Sequence, residues 1–106
     1  MKLNDVVRYN ELFDVYGGLL TDYQRKTLSE FLKYNLTFSE IAENRNVSRQ
    51  STFILLNKCI DKLENYEAKV GAVKAKKAFS NKVSRAVKSI ENGDINSALE
   101  ILKKEA

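Results

Sequence analysis

Histidine, proline and tryptophan are absent from this chain, and cysteine occurs once. Each absence removes a class of activity. Without histidine the commonest general base is missing, and the lone Cys59 has no imidazole to activate it as a nucleophile. One thiol closes no internal disulfide. Set in an apolar helical pattern, Cys59 reads as a small buried core residue. There is no glycine-rich phosphate loop and no cluster of metal ligands. The expectation is a binding protein and not an enzyme, with no cofactor and no metal. Nor is there a run of about 18 apolar residues, so no integral membrane segment is expected. The opening MKLNDVVRYNELF carries acids and lacks the apolar stretch of a signal peptide. The expected compartment is the cytoplasm.

What remains is a chain of 106 residues, 43% hydrophobic and 30% charged, enough for one modest core. With no proline, four glycines and no alternating apolar pattern, the expected fold class is all-α. A first helix is predicted over Asp5 to Tyr16, with Val6, Tyr9, Leu12, Phe13 and Tyr16 on one face and Gly17-Gly18 as its stop. Thr21 is the expected cap of a second helix, running to about Tyr34, with Tyr23, Leu28, Phe31 and Leu32 as its apolar stripe. Ser39 is expected to cap a short third helix that ends near Arg45, with Asn46 as a left-handed turn residue. Ser48 then caps a fourth helix reaching Val70, where Gly71 interrupts. A fifth runs from about Val73 to Ile90. Asp94 caps a final short one. The expected domains are a helix-turn-helix domain over 1–70 and a basic C-terminal helical extension over 71–106, packed on that domain or on a partner.

Two helices joined by a short turn, the second capped by serine, make the helix-turn-helix pattern. Ile41 and Ala42 are expected to pack inward, Val47 to plug the turn, and Leu55, Cys59 or Ile60, and Leu63 to continue the inner face. Ser48, Arg49, Gln50 and Ser51 then stand at the end of the second helix that enters a major groove in such motifs. Arginine there reads guanine and glutamine reads adenine. Arg45 and Lys58 add charge. A plain helical hairpin within a bundle would use the same apolar positions.

Three segments, LFDVYGGLLTDYQRKTLSEFL, LTFSEIAENRNVSRQSTF and KLENYEAKV, resemble the YlxM family of bacteria. The likeness spans roughly Asn10 to Val70. Its strongest marks are LFDVYGGLLT at 12–21, Gln24, EIA at 40–42, VSRQ at 47–50 and LENYEAK at 63–69. That family is similar to the promoter-reading region four of sigma factors, and its members are encoded beside signal recognition particle genes. The resemblance therefore implies a helix-turn-helix fold. It also implies an accessory or regulatory role in the signal recognition particle pathway, with that particle's RNA or proteins as partners. The sequence departs from the family after VSRQ. Ile54 and Leu56 fall where the family is expected to be polar, and the helix entry reads NLTF in place of a DLSL-like one.

Charge divides the chain unevenly. Residues 1–67 hold nine Lys and Arg against ten acids, whereas residues 68–106 hold nine against four. No acid interrupts Ala68 to Ile90. Because neutralised phosphates supply much of nucleic-acid affinity, any such binding is expected to lean on Lys74, Lys76 and Lys77. The same residues would also serve as a solvated face, or be drawn to a membrane surface. Opposite them, Ala72, Ala75, Phe79, Val83, Ala86, Val87 and Ile90 form an apolar side at near-heptad steps.

Two function classes result. One is a nucleic-acid-binding module, including the alternative of a DNA-binding transcriptional regulator. The other is an interaction protein. With Leu55 facing inward, the run Phe53, Ile54, Leu55, Leu56 surrounds its helix with apolar groups. Phe53, Ile54, Leu56, Phe79 and Val83 are then expected at a partner interface, most simply in a homodimer.

Overall fold

The computed structural model describes residues 5–104, which divide into two compact units on either side of the Gly71–Ala72 boundary. Lys2 and Glu105, both counted in the charges above, lie outside the described residues. Among the described residues there are six α-helices and one 3-10 turn, and no strand. The fold is all-α.

The first unit holds α1 (Val6–Tyr16), a 3-10 turn (Gly17–Leu19), α2 (Asp22–Leu32), α3 (Phe38–Arg45) and α4 (Arg49–Val70). The long α4 is the spine against which α1, α2 and α3 pack. The core gathers Leu12, Leu28, Ile41, Leu56, Cys59 and Leu63, all fully buried. Gly17 sits close under a ring. A Cβ there would meet the Phe13 ring at 3.2 Å, closer than most real contacts.

Helix starts are set by side chains. Thr21 accepts from the Gln24 amide at 3.2 Å while the Gln24 side chain returns to the Thr21 amide, a capping box. Thr37 and Glu40 repeat it at the start of α3. This corrects the expectation at Ser39, which lies one position inside the helix. Two hydroxyl residues compete for that cap, and the glutamate three places after Thr37 decides between them. α2 also ends two residues before Tyr34.

The helical phase of α4 differs from the expected one. The inward stripe is Thr52, Leu56, Cys59 and Leu63, with Ile60 beside it. Steps of four, three and four hold one face, whereas Leu55, Cys59 and Leu63 at steps of four drift about 40° each. Leu56 is therefore core and not a partner-interface residue, and Leu55 is half-buried. Val47 does not plug the turn and stays exposed, as does Tyr23 of α2, where Thr27 is buried instead.

α4 ends at Gly71, whose φ of +68° is the left-handed conformation that favours glycine. The second unit is a helical hairpin, α5 (Ala72–Glu91) and α6 (Ile95–Lys103). Asp94 caps α6 by accepting from the Ser97 amide at 3.0 Å and the Ser97 hydroxyl at 2.6 Å. Both bonds favour the ionised carboxylate and hold Asp94 below the usual aspartate range, the hydroxyl contributing most. Among the described residues no helix is long and apolar enough to cross a membrane.

Candidate nucleic-acid interface

The turn between α3 and α4 is three residues long, Asn46, Val47 and Ser48. Asn46 takes the left-handed conformation at φ 54°, and the Val47 amide closes back on the Ala42 carbonyl at 3.0 Å. Ile41 and Ala42 of α3 are buried, and the small Ala42 side chain permits close approach of α4. This geometry fixes the N-terminal end of α4 as an exposed, capped helix start.

The predicted reading residues are placed unevenly around that start. Ser48 is the N-cap, accepting from the Ser51 amide at 3.0 Å, and its hydroxyl lies 2.7 Å from that of Ser51. Ser48 is thus occupied in closing the helix. Arg49 is exposed but leans toward α3, with its guanidinium 5.7 Å from the Phe38 ring centroid. Gln50, Ser51, Ile54, Lys58 and Asp61 are exposed and lie opposite the buried Thr52–Leu56–Cys59 stripe. Asn57 flanks them, half-buried. The face is polar apart from Ile54, which is 47% exposed.

Phe53 is not part of this face. Its ring meets Phe38 edge-on at 5.6 Å, and Phe38 stacks on Phe31 at 5.2 Å, an aromatic row joining α2, α3 and α4. The run of four apolar residues therefore disperses. Leu56 enters the core, Leu55 is half-covered, Phe53 joins the aromatic row yet stays 40% exposed, and Ile54 stands outward on the polar face. The helical phase counted from buried Thr52 is the signal that would have separated them. Apolar content alone does not.

Arg45 is a correction. It is not a surface charge for phosphate. Its Nη2 donates to Glu30 Oε1 at 2.9 Å, its guanidinium lies 4.9 Å from the Tyr23 ring centroid, and its side chain is 16% exposed. Other cations of this unit are likewise neutralised: Arg8 by Glu64, Arg25 by Asp22 and Lys33 by Asp14. Arg49 and Lys58 are the cations at the outer end of α4.

On α5, Lys74, Lys76 and Lys77 are all exposed, yet they do not form one cluster. At about 100° per residue, Lys74 and Lys77 lie about 60° apart, while Lys76 is about 160° from Lys74. Lys76 shares the side of Phe79, Val83 and Val87, which are exposed, as is Ile90. Ala86 is buried.

Cys59 is fully buried, and desolvation pushes its thiol up to about 11. Among the described residues no group of three or more Cys, Asp or Glu side chains is placed to hold a metal.

The pattern that defines the UPF0122 family, described as "Putative helix-turn-helix protein, YlxM / p13 like", matches residues 3–104. The chain belongs to the UPF0122 family. UPF0122 proteins similar to it include one of Clostridium kluyveri, 29% identical over 102 residues, covering 96% of this chain and 92% of the relative. One of Thermoanaerobacter sp. is 36% identical over 80 residues, 76% of this chain and 68% of the relative. One of Staphylococcus aureus is 42% identical over 73 residues, 66% of each chain. The UPF0122 match takes in the second unit as well as the helix-turn-helix, beyond the Asn10–Val70 span of the YlxM likeness.

Proposed function

We propose that this UPF0122 protein is a non-enzymatic nucleic-acid-binding factor that lays the outer face of α4 on a duplex. In keeping with the YlxM resemblance, it serves the signal recognition particle pathway as an accessory or regulatory component. The observation that carries the binding reading is the polar outer face of α4, Gln50, Ser51, Lys58 and Asp61 around a single apolar Ile54, at the end of a capped helix-turn-helix. Gln50 supplies the amide that pairs with adenine, and Ile54 the apolar contact that suits a thymine methyl. Charge comes chiefly from the second unit, because the first is close to neutral.

Titration of a fluorescent duplex tests this. Gln50→Ala with Ile54→Ala is expected to lose sequence preference, while Lys74→Glu with Lys77→Glu weakens binding to all sequences, and by more than Arg49→Ala does. Retention of full affinity and preference by the Gln50/Ile54 variant would remove α4 as the reading element. Dominance of Arg49 and Gln50 on one promoter sequence would mark the alternative, a DNA-binding transcriptional regulator. Capture from native lysate, with RNA and protein both identified, tests the pathway: signal recognition particle RNA or protein is the expected catch.

A second copy of the chain is the further partner we propose. The support is the exposed apolar side of α5, where Phe79 is 68% exposed and Val83, Val87 and Ile90 line up with it.

A further inference from the structure

A cleft of about 450 Å³ opens in the second unit between α5 and α6. Ala78, Asn81, Lys82 and Arg85 line it from α5, and Glu100, Ile101 and the following Lys104 from α6 and its end. Lys82 Nζ donates to the Lys104 carbonyl, which anchors the ammonium at the rim. Arg85, Asn81 and Lys104 are exposed. Three cations thus face one carboxylate.

We propose that this cleft is a phosphate site, and that its occupant is a backbone phosphate of a bound nucleic acid. The chemistry of the donors selects the ligand. A carboxylate offers two oxygens, which one guanidinium fork engages together, whereas a phosphate offers more acceptor oxygens and a larger charge. Here Arg85, Lys82, Lys104 and Asn81 line one cleft, a donor set suited to the greater number of acceptor oxygens on a phosphate. The surroundings select a polymer over a lone ion. Lys77, Asn81, Arg85 and Lys88 recur at steps of four, four and three along one edge of α5, and no acid occurs from Ala72 to Ile90. The edge thus continues the positive charge of the cleft along the helix, as a row of phosphates requires. The proposal deepens the nucleic-acid reading by moving the principal phosphate contact from the Lys74–Lys76–Lys77 triplet to Arg85 and its neighbours.

Lys26 supplies the control. It lies on α2, in the first unit and outside the cleft, and is also exposed. Arg85→Gln and Lys26→Gln each remove one positive charge from the full-length protein. Binding of a short DNA duplex is followed by fluorescence anisotropy between about 50 and 200 mM salt. Arg85→Gln is expected to weaken binding several-fold and to reduce the slope of log affinity against log salt by about 0.9. Lys26→Gln leaves the slope unchanged, and Arg85→Lys restores it, with circular dichroism reporting the helix content of every variant. Inorganic phosphate, titrated at ionic strength matched with chloride, separates the sources. An Arg85 side-chain NMR signal that moves with the duplex alone supports a backbone phosphate, and one that also moves with free phosphate supports the same site in more open form. Equal effects of Arg85→Gln and Lys26→Gln, or no response to either probe, overturn the site. Loss of affinity in Arg85→Gln while the Gln50/Ile54 variant keeps full preference would leave the cleft standing and remove only α4.

Discussion

Arg45 shows how one residue type carries two opposed meanings. In sequence it sits beside the reading helix and looks like a phosphate contact. In the structure it clasps α2 to α3 through Glu30, above the Tyr23 ring. Arg45 Nε and Glu30 Oε2 are buried and find no hydrogen-bond partner among the described residues, so the clasp is only partly satisfied. Replacing Arg45 with alanine would leave Glu30 without its ion-pair partner in a site of low exposure. The expected loss is about 1–3 kcal/mol, between that of an exposed pair and a buried one. At about 4–8 °C per kcal/mol in a domain of this size, thermal melting shows it plainly. Affinity of the folded variant for duplex should match the parent at low temperature. A drop in affinity without a drop in melting temperature would return Arg45 to the interface.

At the scale of the element, the helices and their order were legible because their ends are marked locally. Thr21, Ser48 and Asp94 announce their helices, and Asn46 and Gly71 end theirs in the left-handed conformation. What could not be read was phase and competition. Choosing between Leu55 and Leu56 requires knowing that Thr52 is buried, and a threonine gives no apolar signal. Choosing Thr37 over Ser39 requires weighing Glu40. The site residues suffered more than the fold, since exposure on a helix turns on a shift of one position. The start of α6 makes an element-level prediction. Its cap holds Asp94 ionised below the usual aspartate range, so its contribution is complete above the unfolded aspartate pKa. It is lost as pH falls through the lower folded value. An NMR titration following the Ser97 amide should show α6 fraying only below the ordinary aspartate range. Fraying at or above it would contradict the cap.

Across the whole molecule, the excess of positive charge and the proposed reading face are allotted to different units. The helix-turn-helix unit spends Arg8, Arg25, Lys33 and Arg45 on ion pairs of its own, and the excess of positive charge lies after residue 67. A protein so divided should bind nucleic acid weakly and non-selectively through one part, while the other confers preference. The second unit also carries the exposed apolar side proposed for self-association. Sedimentation at tens of micromolar is expected to give a dimer of the 12.1 kDa chain. Phe79→Glu is expected to shift it to monomer without loss of helix content. A parent that sediments as monomer would refute the pairing.

The burial of Cys59 has a use in labelling chemistry. Only a thiolate reacts quickly with maleimides and iodoacetamides, and this thiol is both enclosed and held near pKa 11. Near neutral pH the folded protein therefore offers such reagents a surface without a reactive sulfur. A cysteine introduced at Ile54 or Lys76 would be its single fast-reacting group, so a fluorophore or spin label goes to a chosen face with the native Cys59 left in place and the core undisturbed.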